Sequence, residues 1–404
     1  MHAPGDIPPP VAAPTVQGRV ESLDVLRGVA ILGILLANIW SFGLASFGSS
    51  FGPETWALHT NFWVEGIRVA LVTGKMRGLL CLLFGAGMYL QYQKLSAAGK
   101  WPGLYARRTL FLSLIGILHI VFLWYGDILL MYSLIAFGAI LFARVRPNWL
   151  VVLSSLSMAF SILVGWLITV SNLASVSDAP GRLYDRYSPA RELLVYGHGT
   201  YLEQMQMRVE QAGFILASLP IFMFEMGGLF LFGMWMASQG LFSRPSQRKL
   251  ATTWLLAVGA VGFILNVAAA WGVAQSQNAS YESVIEFGLN APMAIGIAVL
   301  GSILLERCPS GRLAKLLSAP GRMALTCYLM QSAICCTLFY SWGFGLMNKL
   351  DYWGLYFVVF GVWAANIGFA HLWLRRHTMG PVEWAWRALA YGRRPALIRT
   401  VGEP

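Results

Sequence analysis

The 404-residue chain predicts an all-α fold, a polytopic transmembrane helix bundle of about ten spans with both termini cytoplasmic. Three observations carry that expectation. Only 12% of the residues are charged, about half the roughly 25% that keeps a soluble domain wetted. The composition is 57% hydrophobic, with mean hydropathy +0.61. Ten stretches approach the roughly 20 apolar residues needed to cross a bilayer, and basic residues concentrate in alternate connections between them.

Residues 1–18, with Pro8-Pro9-Pro10 and Pro14, read as a disordered tail without a cleavable signal. The N-terminal transmembrane half (19–210) holds candidate spans at 25–44, 66–92, 109–125, 128–143 and 149–171, then a long outside loop at 172–211. The third and fourth spans are short and joined by Gly126-Asp127, so they predict a tight transmembrane hairpin. The C-terminal half (211–376) holds spans at 212–237, 251–274, 288–305, 323–341 and 354–374. The tail 377–404 contains Gly380-Pro381-Val382-Glu383-Trp384-Ala385-Trp386-Arg387, suited to an amphipathic interfacial helix with Trp at headgroup level.

Placing the N-terminus inside puts 21 of the 29 basic residues on cytoplasmic segments. That bias accounts for most of the +11 formal charge without a nucleic-acid partner. The opposite side keeps Arg182, Arg186, Arg191, Arg208 and Lys349, and Arg68, Lys75 and Arg77 belong to the second span or its entrance. Five cysteines without CxxC spacing read as small apolar residues, so neither a disulfide framework nor a metal site is expected.

Ionisable groups inside a bilayer cost about 2.5–3.5 kcal/mol each on insertion scales, so each needs a partner or a function. Asp24 and Arg27 share one face at the start of the first helix; they suit either an ion pair or a phosphate-bearing ligand at the rim. Asn38 lies three turns further on. His119, in an apolar segment, would be a neutral imidazole suited to general-base work, with Asp127 as its orienting acid. Along one continuous helix the two would stand about 12 Å apart, so a dyad requires the chain to fold back at Gly126 or a third group to bridge them. His59 lies near the first outside loop. Lys75 and Arg77 suit either an anionic group or snorkelling, and Glu225 suits proton relay or amine binding.

Three blocks resemble the YeiB-like family of bacterial membrane proteins. The first is Ser22-Leu23-Asp24-Val25-Leu26-Arg27-Gly28 with Asn38; the second is His119 with Gly126-Asp127-Ile128-Leu129 and Tyr132. The third runs Gly321-Arg322-Met323-Ala324-Leu325-Thr326, Gln331-Ser332, Gly380-Pro381, Glu383-Trp384 and Trp386-Arg387, which adds Arg322, Gln331, Glu383 and Arg387 to the candidates. Cys327 departs from the family's usual Asn.

The resemblance extends to a transmembrane acyltransferase superfamily that includes heparan-glucosaminide N-acetyltransferase, through Asp24, Arg27, Gly28 and Asn38. It implies transfer of an acetyl or short acyl group from acyl-CoA (acetyl-CoA) to a hydroxyl or amine of an envelope glycan or a small molecule. His119 or His59 would serve as base, with Arg27, Asn38, Lys75 and Arg77 on the donor. The expected setting is the lipid bilayer of a bacterial cytoplasmic (inner) membrane, with homodimerisation left open. A proton-coupled transporter is the alternative, and Asp127 and Glu225 fit it on physical grounds alone.

Overall fold

The computed structural model describes residues 21–45, 62–174, 188–217, 219–276, 289–309 and 311–398. The segment 1–18, His59 and the middle of the 172–211 loop lie outside the described residues. Those described are helical, apart from turns and one isolated bridge between His377 and Ile398.

The helices are α1 (Glu21–Gly43), α2 (Phe62–Leu71), α3 (Lys75–Ala97), α4 (Gly103–Phe122), α5 (Leu129–Ala139) and α6 (Pro147–Ala174). Two shorter ones, α7 (Pro189–His198) and α8 (Tyr201–Ala217), precede α9 (Leu219–Ser238) and α10 (Lys249–Ser276). The chain continues through α11 (Asn290–Arg307), α12 (Arg312–Arg322), α13 (Ala324–Phe339), α14 (Tyr352–Leu374) and α15 (Pro381–Tyr391).

Among the described residues, seven helices are long and apolar enough to cross a membrane, and up to nine if each of two bent pairs makes one span. The chain is a multi-pass membrane protein. The fourth expected span, 128–143, falls short: Leu129–Phe142 rises only about 21 Å, against a hydrocarbon core of about 30 Å. The expected span 323–341 is also recast, because α12 and α13 meet at an 81° bend just after Arg322.

Helix α4 shows how sequence dictates orientation. Leu110, Leu114, Ile117 and Leu118 form an exposed apolar stripe that suits lipid. Thr109, Leu112, Ser113, Gly116 and His119 are buried on the opposite face. Hence the polar groups of this helix face protein.

The two sequence halves interleave. Helix α1 packs against α12 and α13, while α3 packs against α9 and α11. The α1–α12 crossing is made close by glycine. A Cβ on Gly321 would lie 1.7 Å from the Asp24 carbonyl oxygen, and one on Gly28 would lie 2.0 Å from that of Leu317. Both lie inside the first and third resemblance blocks, so those glycines mark one backbone contact.

The connections assigned to the cytoplasm gather at one end of the bundle. There Ser22 Oγ donates to the Phe242 carbonyl, Ser246 Oγ donates to Glu306, and Arg322 donates to the Thr378 carbonyl. At the other end an aromatic cluster forms around Trp40, Phe42, Trp124, Tyr125, Tyr196 and Tyr340.

Helix α15 forms as expected, and its half-buried tryptophans bond to backbone carbonyls of the protein. Trp386 Nε1 donates to the Arg108 carbonyl and Trp384 Nε1 to that of Pro395. Arg107 and Arg108 return the grip, on the Leu389 carbonyl and the Tyr391 hydroxyl. The tail is thereby fastened to the start of α4.

Candidate functional site

The fold-back occurs earlier than Gly126. Helix α4 stops at Phe122, where Leu123 and Trp124 N–H both turn back to the His119 carbonyl. The chain then drops into α5 at Leu129. This reversal brings His119 Nδ1 to 2.8 Å from Asp127 Oδ2, with both side chains fully buried.

Asp127 uses its other oxygen as well: Oδ1 accepts from Leu130 N at 2.7 Å, which ties the carboxylate to the N-terminus of α5. Gly116 makes room for this, since a Cβ there would sit 2.6 Å from Leu130 N and 2.8 Å from Asp127 Oδ1. Tyr328 of α13 closes the site, its ring 5.1 Å from the imidazole and its hydroxyl accepting from Ile128 N. His119 Nε2 is buried and has no hydrogen-bond partner among the described residues. With the proton on Nδ1 engaged by Asp127, that Nε2 carries a free lone pair; the tautomer is assigned from this network.

The other expected site residues fall elsewhere. Arg27 pairs with Asp24 at 3.1 Å and keeps 31% of its side chain exposed, with Gly87 of α3 beside it. Asn38 is half-buried on α1. Gln331 Nε2 donates to the Ile31 carbonyl across the α1–α13 contact.

Lys75 is buried, and its ammonium donates at 2.7 Å to the Val69 carbonyl in the last turn of α2. A cation there complements the negative end of the helix dipole. Arg77 pairs with Glu225 at 3.4 Å and lies over the Phe222 ring. Arg68, over Trp40, donates to Thr73. The three cations that topology left unexplained therefore have partners inside the bundle.

Glu383 is a remote helix cap. Its carboxylate accepts from Leu325 N at 2.8 Å, Thr326 N at 3.1 Å and the Thr326 hydroxyl, all in the first turn of α13. Burial holds its carboxyl above the usual Glu value, against the lowering effect of those bonds. Arg387 is half-buried on the same short helix.

One group has no counterpart among the expected site residues. Gln204, Arg208 and Gln211 recur on one face of α8 and are completely buried. Arg208 Nε donates to the Val121 carbonyl at 3.0 Å, and Tyr201 Oη donates to that of Phe122. Both contacts lie at the end of α4, within a turn of His119. The only cue in the sequence is the polar spacing i, i+4, i+7, which inside a stretch read as loop carries little weight.

The chain resembles curated proteins over almost its whole length. It is 32% identical to the uncharacterised protein YeiB of Escherichia coli (strain K12), over 95% of this chain and 99% of the relative. It is 29% identical to the uncharacterised protein YxaH of Bacillus subtilis (strain 168), over 92% of this chain and 94% of the relative. No solved structure matches. Residues 194–393 match the family described as a protein of unknown function, DUF418. With nearly full-length similarity and that shared C-terminal region, the chain belongs to the YeiB-like family.

Proposed function

We propose that this protein is an integral membrane acyltransferase of the bacterial cytoplasmic membrane, moving an acetyl or short acyl group from acyl-CoA to a hydroxyl or amine acceptor. The observation that carries this reading is the buried His119–Asp127 pair with its unoccupied Nε2. An imidazole held through Nδ1 by a carboxylate suits a general base that must turn over near neutral pH.

In the reaction, His119 Nε2 takes the proton of the acceptor's hydroxyl or amine as its oxygen or nitrogen attacks the thioester carbonyl. The carbon–sulfur bond breaks, and the departing CoA thiolate recovers that proton from the imidazolium. Asp127 stabilises the imidazolium between these steps. Asn38 serves to position the donor or to receive the oxyanion. Arg27, paired with Asp24 but 31% exposed, is the most accessible cation of the expected donor set and would meet the CoA phosphates, whereas Lys75 is buried and Arg77 is held by Glu225.

The test is release of free CoA thiol from acetyl-CoA by purified protein in liposomes, supplied with a panel of hydroxyl and amine acceptors. Acceptor-dependent release by the wild type and its loss in His119→Ala support the reading. Absence of acetyl-CoA binding, or unchanged release in that variant, sinks it.

The Arg77–Glu225 pair, whose carboxylate is buried and whose guanidinium is partly exposed, favours a second reading, a proton-coupled carrier, because intramembrane charge pairs mark ion pathways. Solute flux into proteoliposomes without acyl-CoA would select it.

A further inference from the structure

Arg208 is the largest fully buried side chain among the described residues. Its Nε caps the end of α4, and its guanidinium lies 5.1 Å over the Tyr201 ring. Yet Nη1 and Nη2 are buried without a hydrogen-bond partner, and Arg208 makes no ion pair with a described residue. Capping a helix C-terminus explains one nitrogen of three. A buried cation with its two-pronged end open is costly unless an anion meets it.

The surroundings are polar and similarly incomplete. Gln211 accepts from the Tyr196 hydroxyl at 2.6 Å, but its Nε2 has no partner. Gln204 donates to Ser341 Oγ at 2.7 Å, while its Oε1 is open. The Tyr340 hydroxyl and Trp124 Nε1, at the same end of the bundle, are buried and open as well. Native proteins leave few such groups, and several in one neighbourhood point to a bound polar molecule.

We propose that Arg208 anchors a binding site for a small polar molecule bearing an oxyanion, a carboxylate or a phosphate. A planar guanidinium presenting two parallel N–H donors matches either group in bidentate fashion. Gln204, Gln211 and Tyr340 supply the donors and acceptors that hydroxyl or amide groups on such a molecule require. The site lies away from the bundle end that carries most of the basic residues. Naming the bound molecule as the acyl acceptor rests on the acyl-transfer reading; the site itself does not.

The test is calorimetric titration of the purified full chain in detergent with inorganic phosphate and, separately, with glycolate, chloride being the only other small anion. Saturable binding of at least one probe is expected, and which one binds distinguishes phosphate from carboxylate. Arg208→Gln should weaken it at least tenfold, Arg208→Lys less, and Arg191→Gln, whose parent pairs with Glu210 on the surface, not at all. Wild-type protein that binds neither probe overturns the proposal, as does Arg208→Gln binding as tightly as the wild type. Should Arg208→Gln fail to fold, the pair Tyr340→Phe and Gln211→Leu leaves the α4 cap in place. Several-fold weaker binding in that pair supports the site, and unchanged binding overturns it. Arg208-dependent binding in protein that transfers no acyl group would end the acyl-transfer reading and leave this site standing.

Discussion

His119 Nδ1 and Asp127 Oδ2 lie 2.8 Å apart although eight residues separate them in a region apolar enough to be one helix. The reversal after Phe122 makes that contact, and the contact fixes which imidazole nitrogen is open. Asp127→Asn tests the assignment. An amide can donate to Nδ1 where the carboxylate only accepts, which moves the imidazole proton onto Nε2 and removes the base. Turnover in the CoA-release assay should fall by about 10²–10⁴-fold, as for His119→Ala. Asp127→Glu, which keeps an acceptor, should retain more.

The glycine crossing of α1 and α12 predicts a stability effect remote from any chemistry. A methyl group at Gly321 meets the Asp24 carbonyl, which cannot rotate away as a side chain would. Gly321→Ala should destabilise the protein by at least about 2 kcal/mol, read as a lower melting temperature in detergent. Gly66→Ala, where nothing lies within 4 Å, should leave melting nearly unchanged.

Arg77 and Glu225 test whether an ion pair is structural. Glu225→Gln alone should cost roughly 3 kcal/mol, because it strands a cation beside a buried site. The double variant Arg77→Met with Glu225→Leu should recover most of that loss. If the single variant melts like the wild type, the pair is not holding α3 to α9.

Glu383 gives a pH dependence with a definite sign. Burial raises its folded pKa above the usual 4.5, so folding favours the protonated acid. Its contribution is therefore full below about pH 4.5 and is lost as pH rises from there through the folded value. Melting temperatures of wild type minus Glu383→Gln should decline over that window. A difference that grows with pH would refute the assignment.

The sequence makes the helical class plain, because a bilayer admits little else for so apolar a chain. The types and neighbourhood of His119 and Asp127 are legible too. Their contact is not, since no Pro, Gly or Asn between Phe122 and Tyr125 marks the helix end. Lys75 and Arg77 looked unclaimed because their partners are a backbone carbonyl in another helix and a glutamate 148 residues away. Arg208 was misplaced for the opposite reason: a run of Glu, Gln and Arg reads as a wetted loop until Tyr196 and Ser341 are packed over it.

Because His119 and Asp127 belong to a single hairpin, the base carries its orienting acid with it. Sliding of α13 against that hairpin would change what lies beside the imidazole, Tyr328 above all, without disturbing the Nδ1 contact. A helix bundle can thus rock to admit a substrate while its proton acceptor stays in register. The buried His119–Asp127 pair is self-contained in the hairpin, and only its walls belong to the rest of the chain.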